Sequence, residues 1–115
     1  MSITIYHNPR CSKSRQTLQL LRDRGIEPQI IEYLDTPPDA ATLDRLLAGL
    51  GMAPRELVRC KEAPYTALEL ADESLDRAVL IAAMVANPIL IERPIVVNGD
   101  KVALGRPPES VLEIL

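Results

Sequence analysis

The run His7-Asn8-Pro9-Arg10-Cys11-Ser12-Lys13-Ser14-Arg15 holds the densest set of reactive and charged side chains in this sequence. It lies between a β-rich run, Ile3-Thr4-Ile5-Tyr6, and a stretch of helical periodicity that begins at Ser12. Cys11 is therefore expected at or just before a helix N-terminus, where open N–H groups and the positive end of the helix dipole stabilise a thiolate. Arg10, Lys13 and Arg15 add local positive charge to a chain whose net charge is −3. Such a turn favours two things together, an activated sulfur nucleophile and a bound anion. The plainer alternative is an inert cysteine closing a strand among solvated cations. Polar residues on both sides of Cys11 weigh against it.

The spacing narrows the thiol chemistry. Cys11-Ser12-Lys13-Ser14 reads Cys-x-x-Ser, so the second sulfur of a dithiol oxidoreductase is missing. A phosphatase-type loop, Cys followed by five residues and Arg, fails because position 17 is Thr17. A single thiol then needs its resolving sulfur from elsewhere, either Cys60 or an outside thiol such as glutathione.

The elements that must hold this turn follow from pattern and punctuation. The 115 residues, 47% of them hydrophobic, suit one domain over 1–115 with a core that needs no disulfide. Two cysteines are too few for a stapled secreted scaffold, and neither a membrane span nor a signal segment is evident, so a reducing cytosol is expected. The acidic balance and the scarcity of aromatics, three tyrosines in all, argue against nucleic acid as a partner. One histidine leaves no basis for a structural zinc site.

The first helix should stop at Gly25, and Gln29–Leu34 reads as a second strand. Thr36 looks like the N-cap of a helix carrying Leu43, Leu46, Leu47 and Leu50, ended by Gly51. Short helical pieces are expected at Pro54–Val58 and Pro64–Leu70, with a stronger helix over Ser74–Ala86. Asn98-Gly99-Asp100-Lys101, with its Asn-Gly pair, stands between Ile95-Val96-Val97 and Val102-Ala103-Leu104 and signals a hairpin, and Pro107-Pro108-Glu109 opens a closing helix. A strand–helix–strand start demands a parallel pair, and the hairpin adds antiparallel strands. The expected class is α/β: a thioredoxin-like mixed four-stranded sheet with a helical insertion between the second and third strands.

With these residues in view, the sequence resembles the glutaredoxin-coupled arsenate reductases of the ArsC family, in the short branch without a C-terminal extension. The resemblance covers essentially the whole chain. It is carried by Ile5-Tyr6-His7-Asn8-Pro9-Arg10-Cys11-Ser12-Lys13-Ser14-Arg15, by Glu62-Ala63-Pro64-Tyr65, by Asn87-Pro88 through Arg93-Pro94-Ile95-Val96-Val97, and by Gly105-Arg106-Pro107-Pro108-Glu109. It implies that Cys11 attacks arsenate to form a thiol–arsenic(V) adduct. Arg59, Arg93 and Arg106 would hold the oxyanion, a role that suits forked and permanently charged donors. Glutathione as co-substrate would then attack the adduct, and glutaredoxin would assist release of arsenite, with no metal or bound cofactor.

The resemblance also assigns supporting parts. His7 would influence thiolate formation, although a strand-end histidine bonded to backbone fits its place equally well. Ser14 would donate to the thiolate and Arg15 would screen it, the commoner fate of such an arginine being a solvated helix face. Pro94 stands where thioredoxin-like folds put a cis-proline beside the active sulfur. Cys60 departs from the family pattern and is expected to be a small packing residue, the alternative being an internal resolving thiol. Nothing demands a dimer, so a monomer is expected. Two other functions remain open. One is a regulatory protein binding RNA polymerase, against which the missing Cys-x-x-Cys counts. The other is a glutathione-dependent thiol oxidoreductase acting on conjugates or mixed disulfides.

Overall fold

The computed structural model describes residues 2–115. They pack as two units, one made of the chain up to Thr36 together with Arg93–Leu115, the other of Pro37–Glu92.

The first unit holds the sheet. Strands β1 (Ile3–His7), β2 (Gln29–Glu32), β3 (Ile95–Asn98) and β4 (Lys101–Leu104) lie in the order β2-β1-β3-β4. β1 pairs in parallel with β2, placing His7 opposite Glu32, and antiparallel with β3, placing Ile5 opposite Val96. Helix α1 (Ser12–Asp23) makes the crossover between the two parallel strands. The fold is the expected mixed four-stranded α/β arrangement, with the helical segment inserted between β2 and β3. Ile5, Val96, Leu18, Leu21 and Val111 form its core, contributed by β1, β3, α1 and the closing 3-10 helix Pro108–Ile114. At about 1.5–3 kcal/mol per fully buried aliphatic side chain, this cluster fixes α1 against the sheet and with it the turn at the helix start.

Helix α1 ends where Gly25 requires. With φ +77, its N–H donates to Arg22 O and the next N–H, from Ile26, donates back to Leu21 O at 3.0 Å. This left-handed closure places Ile26 against the same core.

The second unit is helical: α2 (Ala40–Leu50), α3 (Pro54–Leu57), α4 (Ala63–Ala67), α5 (Arg77–Ala86) and a 3-10 turn, Pro88–Leu90. α2 buries Leu43, Leu46 and Leu47, and α5 buries Leu80, Ile81 and Met84. Among the described residues no helix is long and apolar enough to cross a membrane.

Several boundaries differ from expectation for local reasons. α2 is capped by Asp39, whose Oδ1 accepts from Thr42 N–H at 2.7 Å, and not by Thr36. Each proline disfavours helical geometry in the residue before it, so Pro37 and Pro38 hold Thr36 and Pro37 out of the helix. α5 likewise starts at Asp76, which caps Val79, because Ser74 is drawn into a turn on Asp72. The second strand stops at Glu32, whose carbonyl accepts from the Asp35 and Thr36 N–H groups and bends the chain. The hairpin loop is Gly99-Asp100, inside the expected turn over 98–101, whose outer residues Asn98 and Lys101 pair with each other. Gly99 takes φ +65 at the first loop position, while Asn98 stays in the ladder and its side chain donates to Ile114 O. The closing helix is 3-10.

Candidate active site

The turn between β1 and α1 is built from its own backbone. Cys11 N–H donates to Asn8 O at 3.0 Å, and Asn8 Oδ1 accepts from Arg10 N–H at 3.0 Å, a local side-chain turn that reverses the chain in four residues. Cys11 is the N-cap of α1, with extended φ −93 and ψ 125, and its own carbonyl accepts from Arg15 N–H. The sulfur thus faces the open end of the helix.

Charge on that sulfur is set by competing effects. Partial burial works against ionisation, but the Ser14 and Lys13 amides and the Arg93 guanidinium together hold the Cys11 thiol below its ordinary value. Neither amide closes a regular capping hydrogen bond to the sulfur; they face it as dipoles. Arg106 Nη2 donates to Cys11 Sγ at 3.6 Å. The two arginines are tied to each other as well, since Arg106 Nε donates to Arg93 O at 2.8 Å. The Arg93-Pro94 and Arg106-Pro107 bonds are both cis.

Behind the sulfur lies a buried polar group. Ser14 Oγ stands 2.6 Å from His7 Nδ1 and accepts from Asn8 N–H at 3.0 Å. Burial pushes the His7 imidazole below its usual value; Glu32 opposes this, while Arg22 and Arg15 add to it. The balance favours the neutral imidazole. The Ser14 hydroxyl, expected to donate to the thiolate, is engaged by His7 and Asn8, and it is the Ser14 backbone N–H that faces the sulfur. Arg15 straps the turn, donating from Nη1 to Pro9 O at 2.9 Å.

On the β2 side of the same turn is a cleft of about 290 Å³ lined by His7, Asn8, Pro9, Arg10, Glu32, Leu34 and Asp35. Its two carboxylates oppose an anion, in contrast to the arginine side of the sulfur. Among the described residues no group of three or more His, Cys, Asp or Glu side chains could hold a metal ion.

Arg59 belongs to the helical unit. Val58 bridges Ile91, and Arg59 N–H donates to Leu90 O at 2.7 Å. Its guanidinium lies between Glu92, 2.6 Å from Nη1, and Glu62, 3.3 Å from Nε. Burial alone would lower its pKa; the two carboxylates more than offset this and raise it. The structure thus gathers Cys11, Ser14, His7, Arg93 and Arg106 in the sheet unit, and sets Arg59 on two carboxylates in the other. Those carboxylates escaped sequence reasoning. Glu62, three residues after Arg59, was the available signal, whereas Glu92 is 33 residues away. Cys60 is exposed and makes only a 3.9 Å contact with Val58 O, so the expectation of a small packing residue does not hold.

A model of the ArsC family matches residues 6–114. The Escherichia coli (strain K12) protein YfgD, an uncharacterized protein, is 60% identical over 114 residues, covering 98% of this chain and 96% of its own. The arsenate reductase of Haemophilus influenzae is 48% identical over 116 residues, covering 100% of both chains. Among solved structures, an arsenate reductase from Vibrio cholerae superposes with a TM-score of 0.97 at 54% identity, covering 100% of this chain and 98% of that one.

Proposed function

Because this chain belongs to the ArsC family, we propose that it is an arsenate reductase of the cytosol that works through a Cys11 thiolate and is recharged by glutathione and glutaredoxin. The observation that carries this reading is the pair of guanidinium groups, Arg93 and Arg106, beside a sulfur whose pKa is lowered at a helix start. Guanidinium forks match a tetrahedral oxyanion, and their charge offsets that of the arsenate as it nears an anionic sulfur. Arg59, permanently charged, is the third oxyanion ligand in this reading.

In the first step the Cys11 thiolate attacks arsenic(V), a sulfur–arsenic bond forms, and one oxygen leaves as water after protonation. A glutathione thiolate then attacks the Cys11 sulfur. The electron pair of the sulfur–arsenic bond passes to arsenic, releasing arsenite as arsenic(III) and leaving a Cys11–glutathione disulfide. Glutaredoxin and a second glutathione reduce that disulfide.

The test is arsenite production by the purified protein with arsenate, glutathione and glutaredoxin, run beside reduction of a glutathionylated peptide. Arsenite formation that disappears in Cys11→Ser is the expected result. Peptide reduction without arsenite formation would move the assignment to a mixed-disulfide oxidoreductase. Full arsenite formation by Cys11→Ser would remove the mechanism.

A further inference from the structure

Gly105 stands between β4 and Arg106, is buried, and lies outside the left-handed region, so its lack of a side chain serves space and not backbone conformation. Its N–H donates to Pro94 O at 2.9 Å, and the next residue, Arg106, donates from Nε to Arg93 O at 2.8 Å. The two segments that carry the arginines are therefore stapled together at two successive residues.

The opposite side of Gly105 rests on α1. A Cβ there would stand 2.5 Å from Thr17 Oγ1, 3.1 Å from Thr17 Cγ2 and 2.7 Å from Pro94 Cγ. The first and third distances are well inside van der Waals contact, and neither neighbour can retreat. Thr17 is fully buried, stiff at its branched Cβ, and its hydroxyl donates to Lys13 O at 2.8 Å. Pro94 Cγ belongs to a ring in a buried residue. A methyl group at 105 must instead displace the backbone of 105–106 and, through the staple, that of 93–94.

We propose that Gly105 is a positioning residue of the thiol site: its missing side chain lets the 105–106 segment close on Thr17 and Pro94, which sets the reach of Arg106 and Arg93 to Cys11. Gly105 would act without touching either the sulfur or an anion. Its geometric role stands without the arsenate reading, while its anion-binding role rests on that reading.

The experiment follows alkylation of Cys11 by iodoacetamide, read by mass spectrometry as a function of pH and of added arsenate, in the wild type and in Gly105→Ala. In the variant, the pH midpoint of alkylation should rise, because Arg93 is moved from the sulfur. The arsenate concentration giving half-protection should rise about tenfold or more, the scale of one lost charge-assisted hydrogen bond. The double variant Gly105→Ala/Thr17→Ala removes both contacts to Thr17 and leaves the one to Pro94; by letting the methyl shift toward α1 it should return both readouts part of the way to wild type. A merely destabilising methyl would not produce that rescue. A folded Gly105→Ala with the wild-type midpoint and wild-type protection would overturn the inference, as would a double variant that restores neither, including one that does not fold. Wild-type protein that arsenate fails to protect would sink the arsenate reading, and the pH midpoint would still decide the role of Gly105.

Discussion

The two cysteines put the same atom in opposite settings. Cys11 is half-buried at the start of α1, with the Ser14 and Lys13 amides and two guanidinium groups around it. Cys60 is exposed in the loop after α3, and its sulfur lies 3.9 Å from the Val58 carbonyl oxygen. Both stand next to arginine in the sequence, Arg10 and Arg59, yet neither adjacent arginine faces its cysteine in a described contact. Arg59 turns to Glu62 and Glu92, and the guanidinium groups at Cys11 arrive from residues 93 and 106. The lowered thiol pKa at Cys11 thus comes from helix geometry and from residues distant in the chain, not from its charged sequence neighbours.

The sharpest way to break that contrast is to remove each sulfur. Cys11→Ser should cut arsenite formation by at least about a thousandfold, the scale of losing a nucleophile. Cys60→Ser should leave the rate within about twofold, consistent with its solvent-exposed setting. A large loss in Cys60→Ser would revive the idea of an internal resolving thiol. Next in size is Arg106→Ala, which removes a charge-assisted donor at the sulfur and should raise the arsenate KM about ten- to a hundredfold. Steady-state kinetics with varied arsenate checks it, and an unchanged KM would leave Arg106 without a binding role.

The contrast between the arginines predicts a smaller effect in the other unit. Glu92→Gln removes the closer charge on Arg59, whose side chain and partner are each about a quarter exposed or less. Urea unfolding should lose about 1–2 kcal/mol, since the pair is largely shielded from water while the Gln amide can keep a hydrogen bond and Glu62 still faces Arg59. The smallest expected effect concerns pH. His7 is held neutral by burial, so its folded pKa lies below the unfolded one. The stability it contributes is present above pH about 6.5 and is lost as pH falls through the folded value. His7→Gln should therefore show a shallower loss of stability between neutral and mildly acid pH than the wild type does. Equal slopes in urea unfolding series would show that His7 does not carry that dependence.

What could be read in the sequence was local. The strand–turn–helix start, the stop at Gly25, the hairpin and the insertion between β2 and β3 follow from period and punctuation that span a few residues. The two shifted helix starts have local causes that period does not show. Thr36 yields to Asp39 because two prolines intervene, and the helix expected from Ser74 starts after Asp76 because Asp72 holds Ser74 in a turn. The candidate arginines were legible only through family motifs, since nothing in an isolated Arg-Pro pair says what it faces. The His7–Ser14 contact, seven residues apart across a turn, and the Arg59–Glu92 pair, 33 apart, carry no periodic signal at all. Gly105 offers the clearest case. Its requirement is set by Thr17 and Pro94, two residues from other elements.

In the proposed reaction an oxyanion is seated between one sulfur and converging guanidinium groups. The most direct measurement is a crystal of the protein soaked in arsenate. The predicted result is arsenic bonded to or in contact with Cys11 Sγ, its oxygens within hydrogen-bond distance of Arg93 and Arg106. An anion bound elsewhere, with both guanidinium groups turned from an unmodified Cys11, would contradict it.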